Sequence, residues 1–166
     1  MHSCIHAFIT RRVDYCNAVL YGVHAHITRR LQALLHAAAR LITGVRRNQH
    51  ITATLRDTSH WLPVPQRILF KFALMAFDCV RGQGPYLDDV LVPVQTVGAR
   101  ARLRSADHGD MVVLRSCTVR FGQRSFRSST PSAWNDLPSE LKNCSDISRQ
   151  GFKSSLKSWL FEPAYS

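Results

Sequence analysis

Apolar residues recur every three or four positions in two stretches near the start of the chain. The first stripe contains Ile5, Ile9, Val13, Cys16 and Leu20, and it ends before Gly22. The second ends before Gly44 and contains Ile27, Leu31, Leu34, Leu35, Ala38, Leu41 and Ile42. This spacing places apolar side chains on one side of a helix, and glycine commonly follows the last helical residue. The pattern predicts two amphipathic helices.

The next segments predict two further helices. A short one is expected over residues 52–58. A longer one is expected after Pro65, because proline suits the first helical turn. From Ile68 to Val80 this segment is apolar on most sides, which is typical of a helix in the core. Gly82 and Gly84 are predicted to end it.

The pattern changes after Pro93. Few large apolar residues and three closely spaced arginines predict a long, exposed loop. The segments TVRF and RSFR flank Gly122-Gln123, a Gly-X pair of the kind found in type II′ turns, so we expect a short β-hairpin around 118–127. Pro131 and Pro138 are each expected to open a short helical turn. A final helix is predicted over 148–161.

The sequence therefore predicts a mainly α fold: a bundle of four to five helices with a short β-hairpin and a C-terminal helix. The expected organisation is a helical region over 1–92, a basic loop or linker over 93–117, and a hairpin with short helices over 118–166. The last part is expected to pack on the first and form one composite domain. A chain of 166 residues is long enough for such a core.

The charge balance indicates which class of partner the chain binds. Lys and Arg number 22 against 11 Asp and Glu, a net charge of +11. Most of these cations are arginine, whose planar fork of donors suits phosphate oxygens. An excess of this size favours a polyanionic partner, most often nucleic acid. The alternative is a basic domain with no such partner.

Basic side chains also fall at helical spacing. Arg29, His36 and Arg40 share the side of the second helix opposite its apolar stripe, and Arg47 follows in register. Such a stripe can track a phosphate backbone or can simply be a solvated face, and the sequence leaves both open. The candidate nucleic-acid-binding residues are Arg29, Arg40, Arg47, Arg100, Arg102, Arg104, Lys153 and Lys157.

Cysteine and histidine positions give little sign of a metal or disulfide site. Five cysteines are widely spaced and form no C-x-x-C pair, so small buried thiols in a reducing, intracellular compartment are expected. The cluster of His2, Cys4 and His6 is short of the four ligands that a zinc site needs. No signal peptide or membrane span is evident. We expect no metal, no cofactor and no membrane partner.

One tetrapeptide imitates a polymerase signature. Tyr86-Leu87-Asp88-Asp89 has the order of the metal-binding aspartates of reverse transcriptases. Polymerase chemistry clamps two metal ions between carboxylates, and those aspartates sit on a hairpin beside another strand. Here the tetrapeptide follows a glycine-rich turn and Pro85, which favours one or two helical turns. Asp14, Asp57 and Asp78, the aspartates that precede it, fall in predicted helices or a short loop. No catalytic residue is therefore predicted.

Eight strings along the chain, in this order, resemble one family. They are HAFITRRVDYCNAVLYG, LQALLHAAARLITG, HWLPVPQRILFK, GPYLDDVL, LRS, FGQRSF, PSAWNDLPSELK and FKSSLKSWLF. Together they are similar to the C-terminal part of jockey-like, LINE-type non-LTR retrotransposon reverse transcriptases. In that family the catalytic Tyr/Phe-x-Asp-Asp lies N-terminal to this region, and the position of Asp88 is usually a small polar residue.

The resemblance implies the thumb, whose helices grip the template–primer duplex by its backbone, and the region that follows the thumb. It also implies that the fingers, palm, endonuclease and C-terminal zinc knuckle are missing, so this chain alone is not expected to be an enzyme. The expected function is non-specific binding of RNA, DNA or their hybrid. The alternatives are a helical protein-interaction module, with self-association through exposed apolar faces, or a non-functional product of a truncated element.

Overall fold

The computed structural model describes residues 2–82, 91–116, 118, 122, 124–142 and 147–165. Within these ranges the chain is mainly helical, as the sequence predicted, and contains no β-strand. An isolated antiparallel bridge joins Pro93 and Met111. The α-helices are α1 (His2–Asp14), α2 (Ala25–Thr43), α3 (Val64–Val80), α4 (Arg104–Asp107), α5 (Phe126–Asn135), α6 (Ser139–Lys142) and α7 (Arg149–Tyr165).

Shorter helical segments connect some of these elements. Turns of 3₁₀ helix cover Asn17–Leu20 and Val94–Thr96, and a π-helical turn covers Thr54–Thr58 where a short helix was expected. Residues 83–90 lie outside the described residues, so the helical turn predicted around Asp88 and Asp89 stays a prediction.

The chain divides into two compact units. The first, unit 1, comprises Met1–Ile68 and Trp159–Ser166, and the second, unit 2, comprises Leu69–Ser158. Helices α3 and α7 contribute residues to both. The sequence-based boundaries after residues 92 and 117 stay a prediction.

Unit 1 is built around the packing of α1 on α2. Gly44 ends α2 in the left-handed conformation (φ 71°), where a side chain would be strained, and its N–H donates to Arg40 O. Gln32 on α2 accepts a hydrogen bond from the backbone N–H of Val64, the first residue of α3, at 2.8 Å. This bond satisfies one of the N–H groups that a helix start leaves without an intrahelical partner. The buried apolar residues of unit 1 are Leu35, Ala38, Ala39, Ile51, Leu55, Trp61, Leu62, Val64, Ile68 and Leu160.

Polar contacts fix the end of α1 in unit 1. Arg67 donates from Nη1 to both carboxylate oxygens of Asp14, at 3.0 and 2.9 Å, and from Nε to Leu62 O at 2.7 Å. The Tyr165 hydroxyl donates to Trp61 O. Burial of the hydroxyl raises the pKa of Tyr165, because the charged phenolate is disfavoured there.

Aromatic side chains form the centre of unit 2. The ring of Phe152 stacks on Phe77 with centroids 4.2 Å apart and lies 6.0 Å from the ring of Trp134. Phe152 is fully buried, and burying a side chain of this size contributes about 1.5–3 kcal/mol. The sequence predicts an apolar face of the last helix made of Phe152, Leu156 and either Trp159 or Leu160. Phe152, Leu156 and Leu160 are buried, which confirms the face with Leu160 as its third residue, and Trp159 is half-buried.

A hydrogen-bonded cluster holds residues 109–111 in unit 2. Asn135 accepts from Met111 N–H at 2.8 Å and donates to Met111 O at 2.9 Å, and the Trp134 indole N–H donates to Gly109 O. Lys142 donates to Asp110 Oδ1 at 2.6 Å with its side chain only 4% exposed. The side chains of Trp134 and Asn135 thus satisfy backbone groups of Gly109 and Met111, while the backbone of residues 92–94 pairs with Asp110 and Val112.

The prediction of a second β-strand in the hairpin is wrong. Phe126 and Arg127 begin α5, whose N-cap is Ser125, and Ser125 O accepts from Ser129 N–H at 2.9 Å. Phe126 contacts the ring of Phe72 as a helical residue. Residues 119–121 of the first strand lie outside the described residues.

Two further expectations for this region need correction. Pro131 lies inside α5 instead of opening a helix, and Ser125 supplies the helix start. Pro138 immediately precedes α6, as predicted. The segment expected to be an exposed loop also carries buried residues, namely Val94, Ala106 and Met111. These residues anchor the segment because their apolar side chains are removed from water.

Candidate functional site

Three arginines gather at the C-terminal end of α2 in unit 1. Arg40 donates from Nη2 to Gln49 O at 3.3 Å, and the Gln49 side chain accepts from the backbone N–H of Arg46 at 3.2 Å. These bonds fold residues 44–50 back against the helix end. Arg46 and Arg47 are exposed there, and Arg40 is half-buried. The partial negative charge at a helix C-terminus favours cations at this position.

Arg29 extends this basic surface along α2. It lies eleven residues before Arg40, which is three helical turns or about 16 Å, so the two side chains emerge on the same side of the helix. Arg29 is exposed, as is the adjacent Arg30. The distance between Arg29 and Arg40 along the helix spans several phosphates of one strand, because successive duplex phosphates are about 3.4 Å apart along the axis of each strand.

The sequence around this surface lacks negative charge. No Asp or Glu occurs from Tyr15 to Arg56. The aspartates that bound this stretch are each engaged by an arginine: Asp14 by Arg67, and Asp57 by Arg56 at 2.7 Å. Unit 1 as a whole has nine Lys and Arg against three Asp and Glu. The surface therefore carries a positive potential that local carboxylates do not cancel.

A second basic set lies in unit 2 on the segment that leads into α4 and on the first residue of that helix. Arg100, Arg102 and Arg104 are all exposed. Backbone hydrogen bonds from Arg100 N–H to Val97 O at 2.7 Å and from Leu103 N–H to Arg100 O at 3.0 Å define consecutive turns. The arginines are thus displayed on a folded segment, not on an extended one.

The basic ridge on α7 is divided between two roles. Lys153 and Lys157 are exposed one turn apart. Arg149, which precedes them at the same spacing, forms a two-point ion pair with Asp78. The hydrogen bond to Asp78 raises the pKa of Arg149. Arg149 is therefore committed within unit 2, whereas the two lysines face solvent.

The structure assigns the predicted residues to two sets. Arg29, Arg40 and Arg47 belong to unit 1, while Arg100, Arg102, Arg104, Lys153 and Lys157 belong to unit 2. The sequence reasoning missed Arg30 and Arg46. The absence of any acid between Tyr15 and Arg56 is the signal that would have included them.

His36 on α2 is held as a neutral ring. The Gln32 amide has its oxygen fixed by Val64 N–H, so its nitrogen faces Nε2 of His36, at 2.9 Å. An amide nitrogen only donates, and Nε2 must therefore accept, which requires an unprotonated nitrogen. Burial and the nearby charge of Arg40 lower the pKa of His36. Charge on this basic face thus comes from arginine.

The aspartates that precede the Tyr-Leu-Asp-Asp tetrapeptide, and that a polymerase site would need as further metal ligands, are held by arginines. Asp14 ends α1, Asp57 lies in the π-helical turn and Asp78 lies in α3, so their predicted placement on helices is confirmed. Asp78 joins Asp14 and Asp57 in being held by an arginine. Asp88 and Asp89 lie outside the described residues.

Metal ligands do not cluster in the part of the chain that the structure describes. No group of three or more His, Cys, Asp or Glu side chains there could hold a metal ion. Cys79 is buried, as expected of a small apolar residue, but Cys16, which lies after α1 in a left-handed conformation (φ 52°), is exposed and departs from that expectation. Within the described ranges, every helix falls short of the length and apolar composition that a membrane span requires.

No protein-family model, curated protein or solved structure matches this chain.

Proposed function

We propose that this chain is a helical module that binds the phosphate backbone of RNA, DNA or their hybrid without reading its sequence. The observation that carries the proposal is the acid-free stretch from Tyr15 to Arg56, whose exposed arginines lie along α2 and just beyond its end. Arginine and lysine contacts to phosphate supply affinity and orientation, whereas sequence is read at base edges.

The distribution of ion pairs supports this proposal. If the positive charge served only to balance carboxylates within the fold, the exposed arginines would be matched by nearby acids. Instead Asp14 and Asp57 are engaged by Arg67 and Arg56, outside the candidate set. The candidates in unit 2 likewise exclude Arg149, the cation that Asp78 holds. The three aspartates thus take their partners from outside the candidate set, which supports an external polyanion for the exposed candidates.

Binding to labelled homopolymers tests the proposal. Fluorescence anisotropy with oligo(U), oligo(dT) and a poly(rA)–oligo(dT) hybrid should show binding at low salt with little preference for sequence. Each phosphate contact should contribute roughly −0.7 to −0.9 to the slope of log affinity against log salt. Absence of binding at low salt, or an affinity that does not change with salt, would contradict the proposal.

The resemblance to LINE-type reverse transcriptases supports a specific origin for this module. We propose that it corresponds to the region after the polymerase palm, where helices hold the template–primer duplex. The DNA that precedes the Met1 codon provides the test. A coding sequence there for a palm with its own paired aspartates would support this origin, and unrelated DNA would contradict it.

A second candidate is a protein-interaction module, favoured by exposed apolar side chains in unit 1. Leu34 and Leu41 lie two turns apart on one side of α2 and are 60% and 71% exposed, and Phe8 on α1 is 64% exposed. Large apolar side chains left in water favour association. Sedimentation velocity would show concentration-dependent oligomers in this case, and a monodisperse monomer would count against it.

A further inference from the structure

A cavity in unit 2, distinct from all the predicted contact residues, lies between the segment 113–116 and helix α5. It encloses about 450 Å³ and is open to solvent. Its walls come from two sources: α5 supplies Ser128 and Ser132, one turn apart, and the opposite segment supplies Val113, Leu114, Arg115 and Ser116.

The polar lining is made of groups that donate hydrogen bonds. Arg115 is exposed and provides a guanidinium, and three serines provide hydroxyls. The hydroxyls of Ser128 and Ser132 donate to backbone carbonyls at 3.5 and 3.4 Å. The usual distance for such bonds is about 2.7–2.8 Å, so both contacts are weak. Either proton can turn to a ligand in the cavity without loss of a good hydrogen bond.

The surrounding sequence excludes negative charge. No Asp or Glu occurs between Asp110 and Asp136, whereas this stretch contains four arginines. Asp110 is itself engaged by Lys142. A cavity lined by hydroxyls and one guanidinium, in a segment without carboxylates, matches the chemistry of an anion with several acceptor oxygens.

We propose that this cavity binds one phosphate group of a polynucleotide backbone, with Arg115, Ser116, Ser128 and Ser132 as its ligands. The inference rests on the proposed function for the identity of its ligand. The apolar wall formed by Val113 and Leu114 favours a polynucleotide over free phosphate as the ligand. Val113 is 48% exposed, and a nucleotide places a sugar beside the phosphate that can cover this surface.

Two variants of the full chain test the site against matched controls. Arg115→Gln removes the charge, and its control is Arg56→Gln, which removes an exposed arginine engaged by Asp57. The double variant Ser128→Ala/Ser132→Ala removes the α5 hydroxyls, and its control is Ser154→Ala/Ser155→Ala at exposed positions of α7. Circular dichroism reports folding. If the α5 double variant fails to fold, the exposed Arg115 still provides the test.

Salt titrations with labelled oligo(dT) should separate the two contributions. Arg115→Gln should reduce the magnitude of the log–log slope by roughly 0.7, the value for one phosphate contact to a single strand. The α5 double variant should weaken binding roughly three- to tenfold at an unchanged slope, because neutral hydrogen bonds are lost. Both controls should bind like the unsubstituted chain. Binding by Arg115→Gln and the α5 double variant that equals that of their controls would overturn the site and leave the proposed function intact.

Titration with inorganic phosphate decides the remaining outcome, in which oligo(dT) does not bind at all. That outcome contradicts the proposed function. Shifts in the amide resonances of Arg115, Ser116, Ser128 and Ser132, observed by two-dimensional NMR, would then support a site for free phosphate in place of a polynucleotide. Absence of such shifts would overturn the phosphate site as well.

Discussion

Arg149 and Asp78 form a two-point ion pair in which Nε donates to Oδ1 at 2.7 Å and Nη2 donates to Oδ2 at 2.9 Å. The pair joins α7 to α3 within unit 2 and separates one cation of the α7 ridge from Lys153 and Lys157. The three residues share one helical spacing, so only the structure distinguishes the cation with an internal partner from those that face solvent.

Substitution along this ridge should separate stability from binding. Arg149→Ala should lower the free energy of unfolding by about 0.5–1 kcal/mol, because the arginine side chain is 55% exposed and solvent screens the pair. Lys153→Ala/Lys157→Ala should leave stability within about 0.5 kcal/mol and weaken oligonucleotide binding. Urea unfolding and anisotropy measure the two effects. Equal loss of binding in Arg149→Ala and the lysine variant would show that the ion pair does not separate them.

Lys142 should be a sensitive charged position in unit 2. Its ammonium group is almost buried and contacts Asp110 Oδ1 and Asn135 O. Removing one partner of a buried pair leaves the other charge uncompensated, so Lys142→Met should cost about 3 kcal/mol of unfolding free energy. Lys157→Met, at an exposed position, is the control. A cost below about 1 kcal/mol in urea unfolding would mean that Asp110 finds water in place of the lysine.

Asn135 should be required for the folded position of Met111. Asn135→Ala removes both the acceptor for Met111 N–H and the donor to Met111 O. Each buried backbone group left without a partner costs about 1–3 kcal/mol, so we expect a total loss of about 2–4 kcal/mol. Asn48→Ala, at an exposed position in the turn after α2, should have little effect. Hydrogen exchange should also show faster exchange of the Met111 amide in the Asn135 variant alone.

The neutral ring of His36 predicts a loss of stability in weak acid. The pKa of His36 is lowered in the folded chain, so below pH 6.5 the unfolded state binds a proton more readily than the folded one. Stability should fall as the pH drops from about 6.5 towards the folded pKa. Protonation also sets Nε2–H against the Gln32 amide and opposes the Gln32 bond to Val64 N–H.

His36→Gln provides the measurement for this effect, because glutamine does not titrate. The difference in unfolding free energy between this variant and the unsubstituted chain should change across that pH range. The corresponding difference for His50→Gln, an exposed histidine, serves as the control. A pH-independent difference for His36→Gln would contradict the neutral ring.

Periodic helices could be predicted from the sequence because their signal is local. Helix α2 ends at Gly44 as predicted and buries Leu35 and Ala38 of its predicted stripe, although Leu34 and Leu41 of that stripe are exposed. Helix α7 buries Phe152 and Leu156 at the expected spacing. The prediction of the second hairpin strand was wrong because this stretch has no such periodic signal. That prediction rested on one apolar residue, Phe126, and the helix start depends on the carbonyl of Ser125.

The contacts that organise the rest of the fold join residues distant in sequence. Trp134 and Asn135 bind residues 109 and 111, about 25 positions earlier, and Arg149 binds Asp78, 71 positions earlier. Sequence spacing carries no sign of such pairs. The sequence indicates which residues are cations. It does not distinguish an arginine that pairs with a carboxylate of the fold, such as Arg149, from an arginine that does not.

The salt dependence of binding in an arginine variant tests the central claim most directly. Arg29, Arg46 and Arg47 are exposed on the acid-free surface of unit 1. The triple variant Arg29→Gln/Arg46→Gln/Arg47→Gln should reduce the magnitude of the slope of log affinity against log salt by roughly two to three relative to the unsubstituted chain. The control, Arg56→Gln/Arg149→Gln, removes two arginines held by aspartates and should leave the slope unchanged. Equal slopes for the triple variant, the control and the unsubstituted chain would contradict backbone binding by this surface.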